Sequence, residues 1–341
     1  MQWRYLLVAI TATSASSAFA LDKVKLRQGV PVSGTLTAMS PDEVEVEAGP
    51  VRKKIPVNQI LYIEYDDEPN ELSLVRGAYA SGKYDQTLEL LEKIDEAKIS
   101  RNEVKQDLAF YKAASMAHLA LAGSGSSQEA GRALLAFESK DSGNYHYLET
   151  CQLIGDLLVS AGKLDAASRY YDKLANSQFP EYKLKAGVLL ARALEAQKKY
   201  AEAILKYDEV INGDGDSPDA QSQKLAAVCG KATCLAATGK VDEAVKMVED
   251  VIGKADAGDL ELHARAYNAL GSVYRAAGKK KEALMAYLHT DLLFAGFPEQ
   301  HAEALAALAE LWRDADKADR AAQAAQTLKD RYPGSRWAQG K

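Results

Sequence analysis

The chain has 341 residues, 47% of them hydrophobic, with 42 Lys and Arg against 48 Asp and Glu for a net charge of −6. That length holds two domains and a substantial core. The balanced charge excludes a general nucleic-acid binder, which needs a basic face.

Residues 1–20 read as a cleavable export signal. Arg4 gives a short positive start, Tyr5 to Ile10 an apolar run, and Ala18-Phe19-Ala20 a small-x-small cleavage site. The run is too short to span a bilayer as a permanent helix, and no cysteine follows it for lipid attachment. Cleavage after Ala20 predicts a mature chain that starts at Leu21, is exported to the periplasm or secreted, and keeps no transmembrane segment.

Residues 21–67 carry strand-period alternation at Val24/Leu26, Val44/Val46 and Ile55/Val57. Turn signals stand at Gln28-Gly29, Ser40-Pro41-Asp42 and Ala48-Gly49-Pro50. A tight turn over Val57 to Ile60 precedes a last strand, Leu61 to Tyr65. Five strands in this space resemble a small SH3-like or Sm-like barrel, and Asp66-Asp67-Glu68-Pro69 marks its end.

Residues 69–333 show helical hairpins in series. Gly-Lys turns recur at Gly82, Gly162, Gly239 and Gly278, with gaps of 80, 77 and 39 residues. The two wide gaps each hold a further copy. One has Tyr111, Ala114 and His118, a Gly/Ser insert from Gly123 to Ser127, then Ala130, Leu134 and Phe137. The other has Leu190, Ala191 and Leu194, a turn at Lys198-Lys199, then Tyr200, Ala203 and Tyr207. A seventh has Leu308, Ala309 and Trp312, a turn at Asp316, then Ala321 and Leu328. Past residue 69 the only prolines are Pro180, Pro218, Pro298 and Pro333, each between hairpins or after the last, where a missing N–H does no harm. In the sixth copy Tyr267, Leu270 and Tyr274 share one packing face, and Gly271 and Ala283 lack the bulk that would hold two helices apart. Nearest-neighbour stacking of such units predicts an elongated body. Residues 334–341 read as a tail.

These marks resemble the tetratricopeptide repeat family: a small residue in the leading helix, a turn, then an aromatic or aliphatic residue and an alanine three apart. They are Gly155 with Leu164 and Ala167, Ala191 with Tyr200 and Ala203, Ala232 with Val241 and Ala244, and Gly271 with Lys280 and Ala283. The period of 36 to 41 residues exceeds the family's usual 34, and the family's leading tryptophan is absent. The expected fold is mainly α: an α-α solenoid of about seven hairpins behind a small all-β module.

No motif for catalysis or metal binding stands out. The Gly-Lys pairs lack the upstream glycine and following Ser or Thr of a phosphate loop. Asn212 to Asp219 alternates oxygen ligands like the start of a calcium loop, but Ser217 stands at the sharp-turn glycine and Gln223 at the bidentate glutamate. It reads as an inter-repeat loop with Ser217 or Asp219 as a helix cap. Cys151, Cys229 and Cys234 read as small packing residues, and the five histidines form no ligand pair. The expectation is a protein that is not an enzyme and takes no cofactor.

The family resemblance implies a protein or peptide partner on the concave face of the leading helices. Carried onto this chain, that face holds Arg76, Tyr79, Gln152, Asp156, Val188, Arg192, Glu195, Thr233, Arg265, Asn268, Ser272, Arg275, Glu310 and Arg313. The carboxylate clamp of some members is missing, since Gln152 with Asp156 and Val188 with Arg192 stand at the comparable places. The implied function is an exported, non-enzymatic interaction scaffold of the cell envelope. The alternative is an envelope adaptor whose β module binds a polysaccharide or protein while the repeats act as spacer.

Overall fold

The computed structural model describes residues 21–339. Five strands come first: β1 (Asp22–Leu26), β2 (Val32–Met39), β3 (Glu43–Ala48), β4 (Val51–Pro56) and, after a 3-10 turn at Val57–Gln59, β5 (Ile60–Glu64). All pair antiparallel in the order β4-β3-β2-β1-β5. Among the described residues β4 and β5 do not pair with each other, so the strands form a sheet with two edges and not a ring closed by a β4–β5 ladder. Strand β2 is shared: Val32–Gly34 pairs with β1, and Thr35–Met39 with β3. At Gly34, where it passes between partners, a Cβ would lie 2.4 Å from the Glu47 carbonyl oxygen. Only glycine admits that approach.

Fourteen helices follow as seven hairpins: α1 (Asn70–Ala80) with α2 (Tyr84–Leu91), α3 (Asn102–Leu121) with α4 (Ser127–Lys140), α5 (Tyr147–Ser160) with α6 (Leu164–Ala175), α7 (Pro180–Ala196) with α8 (Tyr200–Ile211), α9 (Pro218–Ala237) with α10 (Val241–Lys254), α11 (Leu260–Ala276) with α12 (Lys280–Leu293), and α13 (Pro298–Asp314) with α14 (Ala318–Arg331). One physical device ends every leading helix. Gly82, Gly123, Gly162, Lys198, Gly239, Gly278 and Asp316 all have positive φ. At each, that residue's N–H reaches the carbonyl three back and the next N–H the carbonyl five back, as in Lys199 to Leu194 (3.0 Å) and Lys279 to Tyr274 (2.9 Å). This is the Schellman closure. The two turns without glycine keep the same geometry, with Lys198 at φ 59° and Asp316 at φ 56°. Pro180, Pro218 and Pro298 sit in the first turns of α7, α9 and α13, where proline's fixed φ suits the helix. Ser126 and Ser217 cap α4 and α9 through their side chains.

Packing inside the hairpins uses large residues on small ones. A Cβ on Gly155 would lie 2.3 Å from the Tyr171 ring, and one on Gly271 would lie 2.6 Å from the Tyr287 ring. Gly271 is therefore covered by Tyr287, not only faced by Ala283. Tyr267 and Tyr274 are half-buried and, with Leu270, line a shallow groove of about 330 Å³ against α12. The deep packing of α11 is carried by Ala264, Ala266 and Val273. All three cysteines are buried free thiols, and burial pushes Cys151 to about 11 and Cys229 and Cys234 to about 12.

Two expectations are corrected. The body is not an open, elongated stack, because the superhelix returns on itself: Arg192 of α7 meets Glu299 of α13 at 2.6 Å across 107 residues. The tail is also structured through Gln339, and the Gly334 N–H donates to the Gly123 carbonyl at 3.0 Å. The sheet and the first hairpins share one apolar core that runs from Val24 through Leu72, Phe110 and Leu148 to Phe179.

Candidate interaction surface

Leading helices lie beside one another along the superhelix, α7 with α9, α9 with α11 and α11 with α13. Because the superhelix closes, they face one interior. Glu261 of α11 acts electrostatically on Tyr84 of hairpin 1 and on His118 of α3. Tyr84 is pushed to about 12 by burial, with Glu149 and Glu261 adding to the rise. His118 is lowered by burial, with Lys185 helping and the two glutamates opposing. It stacks on Tyr84 with ring centroids 4.2 Å apart.

At the far end of this interior stands Glu299, in the first turn of α13. Burial by itself would raise its carboxyl, but the guanidiniums of Arg192, Arg336 and Arg265 outweigh that and hold it at about 2. Close by, Asn268 donates to the Gln300 carbonyl at 2.8 Å and to Glu303 at 3.1 Å, tying α11 to α13. Burial raises the Glu303 carboxyl. Further round, Glu195 accepts from Tyr207 at 2.9 Å and from Thr233 at 2.5 Å. Asp156 accepts from Tyr171 at 2.8 Å and from Gln152 at 3.3 Å, and burial pushes its carboxyl up.

The residues expected on the concave face therefore divide. Arg76 does not line it. It is 3% exposed, and its guanidinium grips Glu68 at 2.6 and 2.7 Å and faces Asp107 at 3.6 Å. Val188 is 4% and Asn268 2% exposed, so both belong to the packing. Tyr79 gives its hydroxyl to Glu149 at 2.7 Å inside an aromatic group with Tyr84, Phe110 and Tyr111. Gln152, Asp156, Glu195 and Thr233 are engaged in the bonds just described, and Arg192 in its bond to Glu299. Arg275, Glu310 and Arg313 remain open to solvent, with Arg265 and Ser272 half-buried beside them. Arg265 reaches Glu261 at 3.0 Å, and Arg275 reaches Glu310 at 2.5 Å. A groove of about 430 Å³ between α11, α12 and α13 is lined by Arg275, Lys280, Glu310, Arg313 and Asp314.

Reading the sequence missed Glu299 and Arg336. The only signal was their charge, because Glu299 is 107 residues from Arg192 and 37 from Arg336. It also missed the buried group under Arg76. There the Tyr65 and Tyr145 hydroxyls donate to Asp107 at 3.2 and 3.4 Å, and His146 stacks on Phe110 at 3.6 Å. Among the described residues no cluster of three His, Cys, Asp or Glu side chains is placed to hold a metal ion. None of their helices is long and apolar enough to cross a membrane.

The model of the tetratricopeptide repeat family matches residues 153–220 and 229–289. The matched segments take in hairpins three to six, with the Schellman turns at Gly162, Lys198, Gly239 and Gly278. Among solved structures, the fold is similar to a Rap protein complexed with competence and sporulation factor. The identity is 14%, over 78% of this chain and 76% of that one, with a TM-score of 0.52. The apo form of the quorum sensor NprR from B. thuringiensis is 12% identical over 76% of this chain and 86% of that one, with a TM-score of 0.47. A search of curated proteins finds no match. At these identities the likeness extends to the fold alone.

Proposed function

We propose that the protein is an exported, non-catalytic interaction scaffold of the cell envelope that takes a peptide or protein segment on the inner face of its repeats. One observation carries the binding reading. Arg265, Ser272, Arg275, Glu310 and Arg313 form a polar, solvent-reached stripe on α11 and α13 that core packing does not require. Arginine carries a disproportionate share of energy in protein interfaces, and a concave wall lets several such donors meet one extended chain. The Rap structure, which holds competence and sporulation factor, supports the reading at the level of fold. The β module is bonded into the helices through Tyr65 to Asp107, Asp22 to Arg101 and Asn58 to Glu181, which favours a capping role for it.

The test uses peptides selected from a displayed random library against the full chain. Arg265→Ala with Arg275→Ala removes two partly exposed ion pairs, which add little to stability, together with the longer-range pull of Arg265 on Glu299. It is expected to weaken the selected peptides at least about tenfold, the cost of losing interface arginines. Lys246→Ala with Asp250→Ala, on the outer helix α10, is expected to leave them unchanged. Equal binding by both folded variants would refute the inner-face site and direct attention to the β module. Export rests on the pattern of residues 1–20, which lie outside the described residues. Intact-mass measurement of the native protein is expected to show Leu21 first, and a retained Met1 would remove the export reading.

A further inference from the structure

A solenoid held only by nearest-neighbour interfaces has nothing to fix its ends relative to each other. This one has a direct contact between hairpin 7 and the turn of hairpin 2. The Gly334 N–H donates to the Gly123 carbonyl at 3.0 Å. A Cβ on Gly123 would lie 2.6 Å from the nitrogens of both Gly334 and Ser335, and one on Gly334 would meet the Gly123 Cα and oxygen at 3.0 Å. At Gly82, Gly162, Gly239 and Gly278, the same added atom meets nothing. Of these glycine turns, the one in hairpin 2 alone is covered.

The covering segment is itself held in shape. The Tyr332 hydroxyl bonds His301 Nδ1 at 2.7 Å, and the opposite ring nitrogen meets Asp291 at 2.9 Å. The Ser335 hydroxyl donates to the Tyr332 carbonyl, and the Ala338 N–H donates to Ser335 Oγ at 3.2 Å. Trp337 and Ala122 pack against the same apolar cluster as α13 and α14. Arg336 then points at Glu299, 3.6 Å away, on the same carboxylate that Arg192 takes from across the ring.

We propose that Tyr332–Trp337 is a clasp that holds the superhelix closed on hairpin 2, and that its release opens the inner face. The closure consists of one backbone hydrogen bond, the packing of Ala122 and Trp337 on one apolar cluster, and one partly exposed ion pair, Arg192 to Glu299. Each is weak by itself, so the closed ring is a contact that can open while the repeats stay folded. The proposal concerns access to the inner face and stands apart from what binds there.

The test reads opening directly. In the full chain, Ser272→Cys places a reactive thiol on the inner face, while the three native thiols are buried. Adding Gly334→Val drives a side chain into Gly123 without touching the hairpin 2 turn sequence. Maleimide labelling of the new thiol is expected to become about tenfold faster, and the radius of gyration from X-ray scattering is expected to rise. Unchanged labelling with an unchanged scattering profile would overturn the clasp. If the native thiols label as well, the chain has unfolded and Trp337→Ala in the same background decides instead. Faster labelling of the new thiol alone then supports the clasp, and unchanged labelling overturns it.

Discussion

Replacing Arg76 with alanine is expected to cost about 3–5 kcal/mol, the range for breaking a buried ion pair by removing one partner. The guanidinium is bonded twice to Glu68, whose side chain is 13% exposed, and faces Asp107, which is fully buried. Its removal leaves the buried Asp107 with only the Tyr65 and Tyr145 hydroxyls and Glu68 with only the Tyr65 N–H, too little to offset two carboxylates that have lost their cation. The loss should be local first. Hydrogen exchange is expected to accelerate in the β sheet and in α1 to α5, which share the apolar core around this group, before it does in α9 to α14. Adding Asp107→Asn to Arg76→Ala should recover part of the loss, since the stranded charge is its main cause. An Arg76→Ala variant that melts within a degree of the parent would show that the group does not bind the sheet to the helices.

Asp22→Ala should be of similar size. Its carboxylate accepts from both Arg101 terminal nitrogens at 2.7 and 2.8 Å and from the backbone N–H groups of Leu36 at 2.8 Å and Asp66 at 2.9 Å. One 2% exposed side chain thereby joins β1, β2, the end of the sheet and the start of α3. Removing it strands four donors and is expected to cost about 3–5 kcal/mol. The pH dependence has a fixed sign. Burial by itself would raise this carboxyl, but the Arg101 and backbone donors outweigh it and hold it below its ordinary value. The group therefore adds stability above its unfolded value of about 4 and loses it as pH falls through the lower folded value. Stability of the parent chain should decline on acidification below about pH 4. In Asp22→Asn that component of the decline should be absent. Parallel acid profiles for the two proteins would disprove the assignment.

The order of elements was legible from the residues because it depends on short-range chemistry. Alternation at Val44/Val46 and Ile55/Val57, glycines able to take positive φ, and prolines at first turns each act within a few residues of themselves. The turns at Lys198 and Asp316 could be placed without glycine because the hydrophobic spacing on both sides left room for nothing else, and both backbones do take the left-handed conformation. Hairpin stacking followed from faces too apolar to stay in water singly.

Which polar residues of those helices are open for binding was a different kind of question. A helical position shows which way a side chain points from its own axis, not what stands opposite. Arg76 and Arg265 look alike in sequence, yet Glu68 and Asp107 bury the first, whereas the second keeps a partly exposed pair with Glu261. The closing of the ring was decided by the summed rotation of seven units. Small differences in each crossing accumulate over the stack, and no local pattern records their total. Only that sum brings Arg192 to Glu299 and Gly334 to Gly123. The sequence by itself determined the β character of residues 21–67, the helical hairpins and their turns, since each is fixed by neighbours along the chain. The tertiary structure alone decided the closed interior and its clasp, because those depend on residues that meet only after every repeat has added its angle.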